Sequence, residues 1–229
     1  MLTTLPLPFY FLIGGLLSIF MPKGVIKSSF VCLVPFLALI ALLNGTWEEG
    51  FKVQFLDLEL NFMRVDKLST VFGIIFCIAA FLGNVFAFHL RESTQPFVAL
   101  IYAGAAIGAV FAGDLITLFV YWELTAISSV FLIWARKTEG AYHSGMRYLI
   151  IQVLSGVILL FGVALFYFET GSISFVKMQL DSLATALIFI AFGIKCAFPF
   201  MHNWLQDSYP SATITGTVIL SAFTTKLAV

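Results

Sequence analysis

Residues 187–229 read LIFIAFGIKCAFPFMHNWLQDSYPSATITGTVILSAFTTKLAV. The stretch opens as an apolar run fit for a membrane, yet it carries Lys195 in its interior. It breaks at Cys196-Ala197-Phe198-Pro199 and passes through a polar, aromatic patch from Met201 to Asp207. After Pro210 it turns apolar again and reaches a second lysine, Lys226. A charge at the centre of a bilayer costs roughly 2.5–3.5 kcal/mol on insertion scales, so such residues face a bundle interior or a wet cavity and have partners. Irregular backbone at that depth is tolerated only inside protein or against water. The stretch therefore predicts a helix bundle in a membrane with a broken helix near its midplane.

Composition agrees. The chain is 61% hydrophobic and 10% charged, with zero formal net charge. Soluble domains usually carry about a quarter charged residues. Neutrality excludes a basic footprint for nucleic acid. Cys32, Cys77 and Cys196 each lie within apolar runs, which suits packing better than a disulfide framework or a zinc site. The N-terminal run has its lysines, Lys23 and Lys27, after its apolar core. A cleavable signal peptide has the reverse order, so this segment is expected to be a retained first span.

Apolar runs near the ~20 residues needed to cross a bilayer fall at about 5–21, 28–44, 68–89, 97–112, 115–134, 145–168 and 182–198, and an eighth begins near Ala212. The expected fold is all-α and polytopic, with about eight transmembrane helices. Residues 1–96 form an N-terminal part of three helices, and residues 97–229 a five-helix unit. Between the second and third spans, at about 46–66, VQFLDLELNF partly alternates apolar with polar residues, which predicts an extramembrane hairpin. Gly113-Asp114 joins the fourth and fifth spans so tightly that they must be antiparallel neighbours. Gly104 and Gly108 form a GxxxG, which predicts close helix packing. Lys23, Lys27, Arg91, Arg136, Lys137 and Arg147 fall on one side, and Lys52, Arg64, Lys67 and Lys177 on the other. The first set is denser and closer to the spans, so it is expected to be cytoplasmic, with the N-terminus outside.

Glu123 sits near the middle of the fifth span and Lys195 about 13 residues into the seventh. An intramembrane carboxylate and ammonium at matching depth suggest a proton switch, because burial disfavours both charges and proximity restores them. The alternatives are a structural glutamate and a structural ion pair. Lys226 follows Pro210 by 16 residues. It should lie well inside its helix, or would snorkel to the surface if its helix ends there. Pro199 marks the helix break. His202 would either relay protons or position a helix through a hydrogen bond. Tyr148, Gln152 and Ser155 share a face of span six and could bind water. No phosphate-cradling loop, CxxCH, thiolate cluster or nucleotide fingerprint is present, so no cofactor, metal or catalytic redox or hydrolytic site is expected.

GDLITLFVYWELTAISSVFLIW and AFGIKCAFPFMHNWLQDSYPSATITGTVILSAFTTKLAV resemble the antiporter-like family of proton-conducting membrane subunits. That family includes the two large antiporter-like subunits, A-type and D-type, of Mrp-type Na+/H+ antiporters. It also includes the large membrane subunits of complex I and of membrane-bound hydrogenases. The resemblance runs from about Val65 to Val229. It implies a proton path through Glu123, Lys195 and Lys226 and a broken seventh helix. It also implies hetero-oligomeric partners and transport of H+, with Na+ or another monovalent cation handled by the complex, in a bacterial cytoplasmic membrane. Trp204-Leu205-Gln206-Asp207 replaces the usual Trp-Leu-Pro-Asp, and Ser211–Gly216 departs from the usual proline-rich segment; both bear on subfamily. The form from Thr213 to Lys226 is closer to a bacterial D-type variant than to complex I. Family members have roughly fourteen helices in two inverted repeats. This chain is expected to hold the first repeat, helices four to eight, as a fragment or with another chain supplying the rest. The rival functions are a pumping subunit of a redox complex and a non-transporting scaffold.

Overall fold

The computed structural model describes residues 5–45, 51–56, 58–90 and 94–229. The chain order is α1 (Leu7–Phe20), α2 (Val25–Asn44), β1 (Phe51–Phe55), β2 (Leu58–Met63) and α3 (Lys67–Phe86). There follow α4 (Thr94–Phe111), α5 (Leu115–Trp134), α6 (Glu139–Thr170), α7 (Leu183–Lys195), α8 (Asn203–Ser208) and α9 (Ile214–Phe223), with a 3-10 turn at Lys226–Ala228. The helix starts follow from local chemistry. Asp66 and Ser69 close a capping box on α3, and Ser182 and Thr185 do the same for α7. Thr138 caps α6, which ends on Gly171 in the left-handed conformation.

The bundle is built around α4, which packs on α1, α3, α5 and α9. Of its most apolar window, 78% is buried, against 33–39% for α2, α3 and α6. A helix covered on all sides needs small residues, and α4 supplies them in YAGAAIGA. The expected close packing is present, but the two glycines of the GxxxG serve different neighbours. Gly104 faces Phe11 of α1, while a side chain at Gly108 would collide with the ring of Tyr121 on α5. The outer helices turn Phe20, Ile150 and Phe168 outward, the apolar exterior expected of a bundle solvated by lipid.

Among the described residues, five helices are long and apolar enough to cross a membrane: α2, α3 with the short turn that follows it, α4, α5 and α6. The other three expected spans are shorter, at Leu7–Phe20, Leu183–Lys195 and Ile214–Ala228. The difference has a clear physical origin at α7. Its 13 residues rise about 20 Å, short of the ~30 Å hydrocarbon core. The span expected over 182–198 ends early, and the irregular segment 196–202 leads into α8, which packs beside α6. Conversely α6 has 32 residues and starts six positions before its expected boundary.

The expected hairpin is present as an antiparallel β1–β2 pair. Its flank 46–50 and Asp57 lie outside the described residues, as does Arg91 of the orientation argument. The hairpin docks on the α4–α5 turn. Arg64 N donates to Phe111 O (2.7 Å) and Gly113 N to Asn61 O (2.9 Å). Asn61 in turn lies so close over Gly113 that no Cβ fits there. Asp114 caps α5 by accepting from Thr117 N and Thr117 Oγ1, and its Oδ2 also accepts from Asn61 N, all at 2.7 Å.

One carboxylate therefore ties the hairpin, the turn and α5 together. Asp114→Ala should cost about 1–3 kcal/mol. In hydrogen-exchange measurements it should deprotect the β2 amides while leaving those of α6 protected. Unchanged protection at Asn61 would show that the carboxylate does not hold the hairpin.

Candidate functional site: a buried lysine at the α5–α6–α7 junction

Lys195 is the last residue of α7 and is 1% exposed. A cation in the last turn is favoured by the helix dipole. Its ammonium donates to Trp122 O (3.0 Å) and Thr125 Oγ1 (2.9 Å), and lies 4.1 Å from the centre of the Trp122 ring. Thr125 Oγ1 donates to the same Trp122 carbonyl (2.6 Å). Trp122 is itself fully buried. Its indole donates to Ser155 Oγ on α6 (3.0 Å) and its ring packs against Phe192 of α7. This tryptophan is the hub that joins three helices around the lysine.

Glu123, the next residue, points elsewhere. Successive helical side chains diverge by about 100°, so Lys195 meets α5 on the Trp122–Thr125 side while Glu123 faces α6. There its carboxylate rests against Gly156, where any Cβ would collide with it. Glu123 Oε1 is buried and has no hydrogen-bond partner among the described residues. No N–O contact within 4.0 Å joins Glu123 and Lys195 among the described residues. The close pair suggested by the sequence is thus a near pair, and the ammonium is held by neutral groups.

Gln152 and Ser155 lie at the same junction. Ser155 Oγ donates to Gln152 O (2.8 Å). The Gln152 side chain is completely buried, and neither its Oε1 nor its Nε2 has a partner among the described residues. Buried amides left unsatisfied cost about 1–3 kcal/mol, so this is a place for polar company. Tyr148 stands one turn back along α6, where its hydroxyl meets Ser129 Oγ (2.8 Å) and its ring meets Trp204. The structure thus brings Glu123, Lys195, Gln152 and Ser155 together, with Tyr148 adjacent. It does not bring in Lys226 or His202. Lys226 is exposed in the 3-10 turn and donates to Ser221 O (2.5 Å). His202 precedes α8 without capping it and makes no side-chain hydrogen bond among the described residues.

The break after Lys195 is a defined helix stop. Phe198 N donates to Gly193 O and Ala197 N to Ile194 O, with Ala197 at φ 60°. This is the Schellman pattern, with alanine in the position that normally takes glycine. Pro199 lies beyond the stop. It disfavours helical backbone at Phe198, while the reversal itself occurs at Ala197. Phe200 is also left-handed, at φ 70°. Trp204 Nε1 donates back to Ile194 O (3.0 Å), which fastens the segment to the helix end. Sequence reading does not single out Trp122 and Thr125. Their one signal is position, immediately before Glu123 and two residues after it. Among the described residues no group of three or more His, Cys, Asp or Glu is arranged to hold a metal ion.

A family model described as NADH:quinone oxidoreductase/Mrp antiporter, TM, matches residues 112–229, just over half of the chain. The A-type Na+/H+ antiporter subunit of Alkalihalophilus pseudofirmus is 29% identical over 190 residues, covering 74% of this chain and 23% of that protein. The D-type subunit of the same organism is 25% identical over 242 aligned positions, covering 93% of this chain and 48% of that protein. A chain of respiratory complex I from Thermus thermophilus superimposes with a TM-score of 0.79 at 22% identity, over 100% of this chain and 53% of that one. The chain therefore spans less than half the length of the antiporter proteins it aligns with.

Two substitutions test the geometry. Gly156→Ala should raise helix propensity by about 1 kcal/mol, yet it should lower thermal stability because the methyl displaces the Glu123 carboxylate. Stabilisation would mean that the cradle is not tight. Ala197→Gly should raise stability by about 1 kcal/mol in the same assay by relieving left-handed alanine.

Proposed function

This chain belongs to the NADH:quinone oxidoreductase/Mrp antiporter membrane family, and from that membership we propose that it is a proton-translocating subunit of a multisubunit Mrp-type cation/proton antiporter. The observation that carries the reading is the completely buried ammonium of Lys195, held by neutral groups with Glu123 near but unpaired. An ammonium so placed can release its proton without breaking an ion pair. Its affinity for H+ then depends on how near Glu123 stands and how well that carboxylate is solvated. Lys195 is the switch and Glu123 its modulator and neighbour in the path. Gln152 and Ser155 hold water beside them, and Lys226 takes the proton onward. Residues 97–229 act as the first of two repeats. H+ is the direct substrate, and Na+ or another monovalent cation moves through the complex with other membrane subunits.

The proposed location is a bacterial cytoplasmic membrane, with the N-terminus outside. The support is the cluster of Arg136, Lys137 and Arg147 at one end of α5 and α6, following the bias of basic residues to the cytoplasmic side. Single-cysteine labelling in intact cells tests it: a cysteine at Lys137 should be protected from an impermeant maleimide and one at Lys177 labelled. The reverse pattern overturns the orientation.

A second reading, a proton-pumping subunit of a redox complex, is favoured by the breadth of the family, whose description spans both assemblies. Inverted membrane vesicles carrying the assembled complex separate the two. The antiporter reading expects Na+ addition to release a preformed proton gradient without an electron donor. The redox reading expects proton uptake only on donor oxidation. In either case Lys195→Ala and Glu123→Gln should each reduce proton transfer by at least about tenfold with normal assembly, and Lys226→Ala should also reduce it. Full transport in Lys195→Ala and Glu123→Gln would instead identify a scaffold.

A further inference from the structure

The ammonium of Lys195 has three hydrogens to place, and three groups receive them. Trp122 O accepts at 3.0 Å, Thr125 Oγ1 accepts at 2.9 Å, and the centre of the Trp122 ring lies 4.1 Å away. Thr125 closes a triangle, because its hydroxyl donates to the same Trp122 carbonyl at 2.6 Å. Trp122 lies in the interior of α5, so its carbonyl also belongs to the helix ladder. An oxygen with two acceptor positions thus faces three donors, and one of them can leave without orphaning it.

Loss of a proton changes what the lysine needs. A neutral amine keeps two hydrogens and exposes a lone pair, and a buried acceptor without a donor is penalised. Lys195 and Thr125 are each 1% exposed, so bulk solvent does not serve that lone pair. The Trp122 carbonyl and ring face are acceptors only. The Trp122 indole N–H is committed to Ser155 Oγ at 3.0 Å, and an ionised Glu123 has no hydrogen to give. The next hydroxyls along α5 turn to their own helix, Ser128 Oγ to Leu124 O (2.5 Å) and Ser129 Oγ to Ala126 O (3.0 Å). Among the described residues that touch the ammonium, Thr125 is therefore the one with a hydrogen to offer. That hydrogen need only turn about the Cβ–Oγ1 bond, from Trp122 O toward Nζ, while the side chain stays in place.

We propose that the Thr125 hydroxyl is a reversing hydrogen-bond partner that holds Lys195 in both protonation states, accepting from the ammonium and donating to the amine. The inference rests on the proton-translocating reading given above. In the loaded state Nζ–H donates to Oγ1 while Oγ1–H donates to Trp122 O. The proton then leaves Nζ for the next acceptor of the path, a carboxylate or an amine. The lone pair left behind turns to Oγ1, and Oγ1–H rotates to donate to Nζ. The two hydrogens of the amine go to Trp122 O and the ring face. Reprotonation reverses both rotations. One N–H bond breaks and reforms at Nζ, and Thr125 never gives up its own hydrogen.

The test uses the natively assembled complex in inverted vesicles. Thr125→Val keeps the volume and removes the hydroxyl. It should slow H+ transfer at least about tenfold at normal assembly, and Thr125→Ser should bring transfer back above half of native although serine fills the site less well. Transfer above half of native in Thr125→Val overturns the proposal. Equal slowing in Thr125→Ser also overturns it, by assigning the effect to packing of the methyl group. Infrared difference spectra in D2O, taken between the loaded state and the state unloaded at alkaline pH, read the reversal itself. The O–D stretch that is lost in Thr125→Val should shift on unloading in the native complex and in Glu123→Gln, and should stay fixed in Lys195→Ala. A band that stays fixed in the native complex, with transfer still abolished by Lys195→Ala, overturns the reversal and leaves the relay standing. If Lys195→Ala and Glu123→Gln both transport normally, the proton-translocating reading fails and the reversal falls with it.

Discussion

An ammonium group without a carboxylate against it is the constraint on which this structure depends. Lys195 lies within the bundle, where its charge is held by a carbonyl, a hydroxyl and a ring face instead of a direct counter-ion. A hydrogen bond to a charged group is worth about 1.5–3 kcal/mol, and a desolvated cation–π contact about 2 kcal/mol. Two such bonds and the Trp122 face are comparable with the cost of placing a lysine at membrane depth. That balance is struck by neutral groups, which leaves the nearby carboxylate of Glu123 uncommitted. A direct salt bridge would be harder to take apart, because parting it exposes two unpaired charges to a low-dielectric medium.

The rest of the site follows from holding that lysine still. Trp122 can offer its carbonyl and its ring only if the indole is fixed, and Ser155 fixes it from α6. Glu123 can sit beside α6 only because residue 156 has no side chain. Lys195 can stand at a helix C-terminus only if α7 stops at once, and the left-handed Ala197 provides that stop. The carbonyl of Ile194, which already accepts from Ala197 N, also accepts from the Trp204 indole. The aromatic patch after the break is thus part of the lysine's support.

Sequence alone exposes the charges and hides their company. Glu123 and Lys195 stand out because each is a single ionisable group in an apolar run, and Gln152 because an amide is costly there. Trp122 and Thr125 do not stand out, since hydroxyl and aromatic residues are ordinary in membrane helices and acquire meaning only from which helices face each other. The same limit applies to depth. Counting from Pro210 puts Lys226 well inside its helix, whereas α9 runs from Ile214 to Phe223 and Lys226 opens a 3-10 turn with its side chain exposed. The hairpin and the tight α4–α5 junction are legible because alternation and a two-residue connection are local signals. The early end of α7 is not, because a left-handed alanine gives no warning.

The burial of α4 has a consequence for how the chain enters its membrane. Lipid rewards a helix for apolar surface, and α4 is the least apolar of the five long helices even though it is the most enclosed. Its small residues suit neighbours rather than acyl chains, so it gains least from the bilayer at the moment when no neighbours have arrived. Only residues 112–114 separate it from the more apolar α5, and the Tyr121 ring is already shaped to Gly108. The most enclosed helix of the finished bundle is thus joined through three residues to its successor, a connection suited to insertion of the two as one helical hairpin.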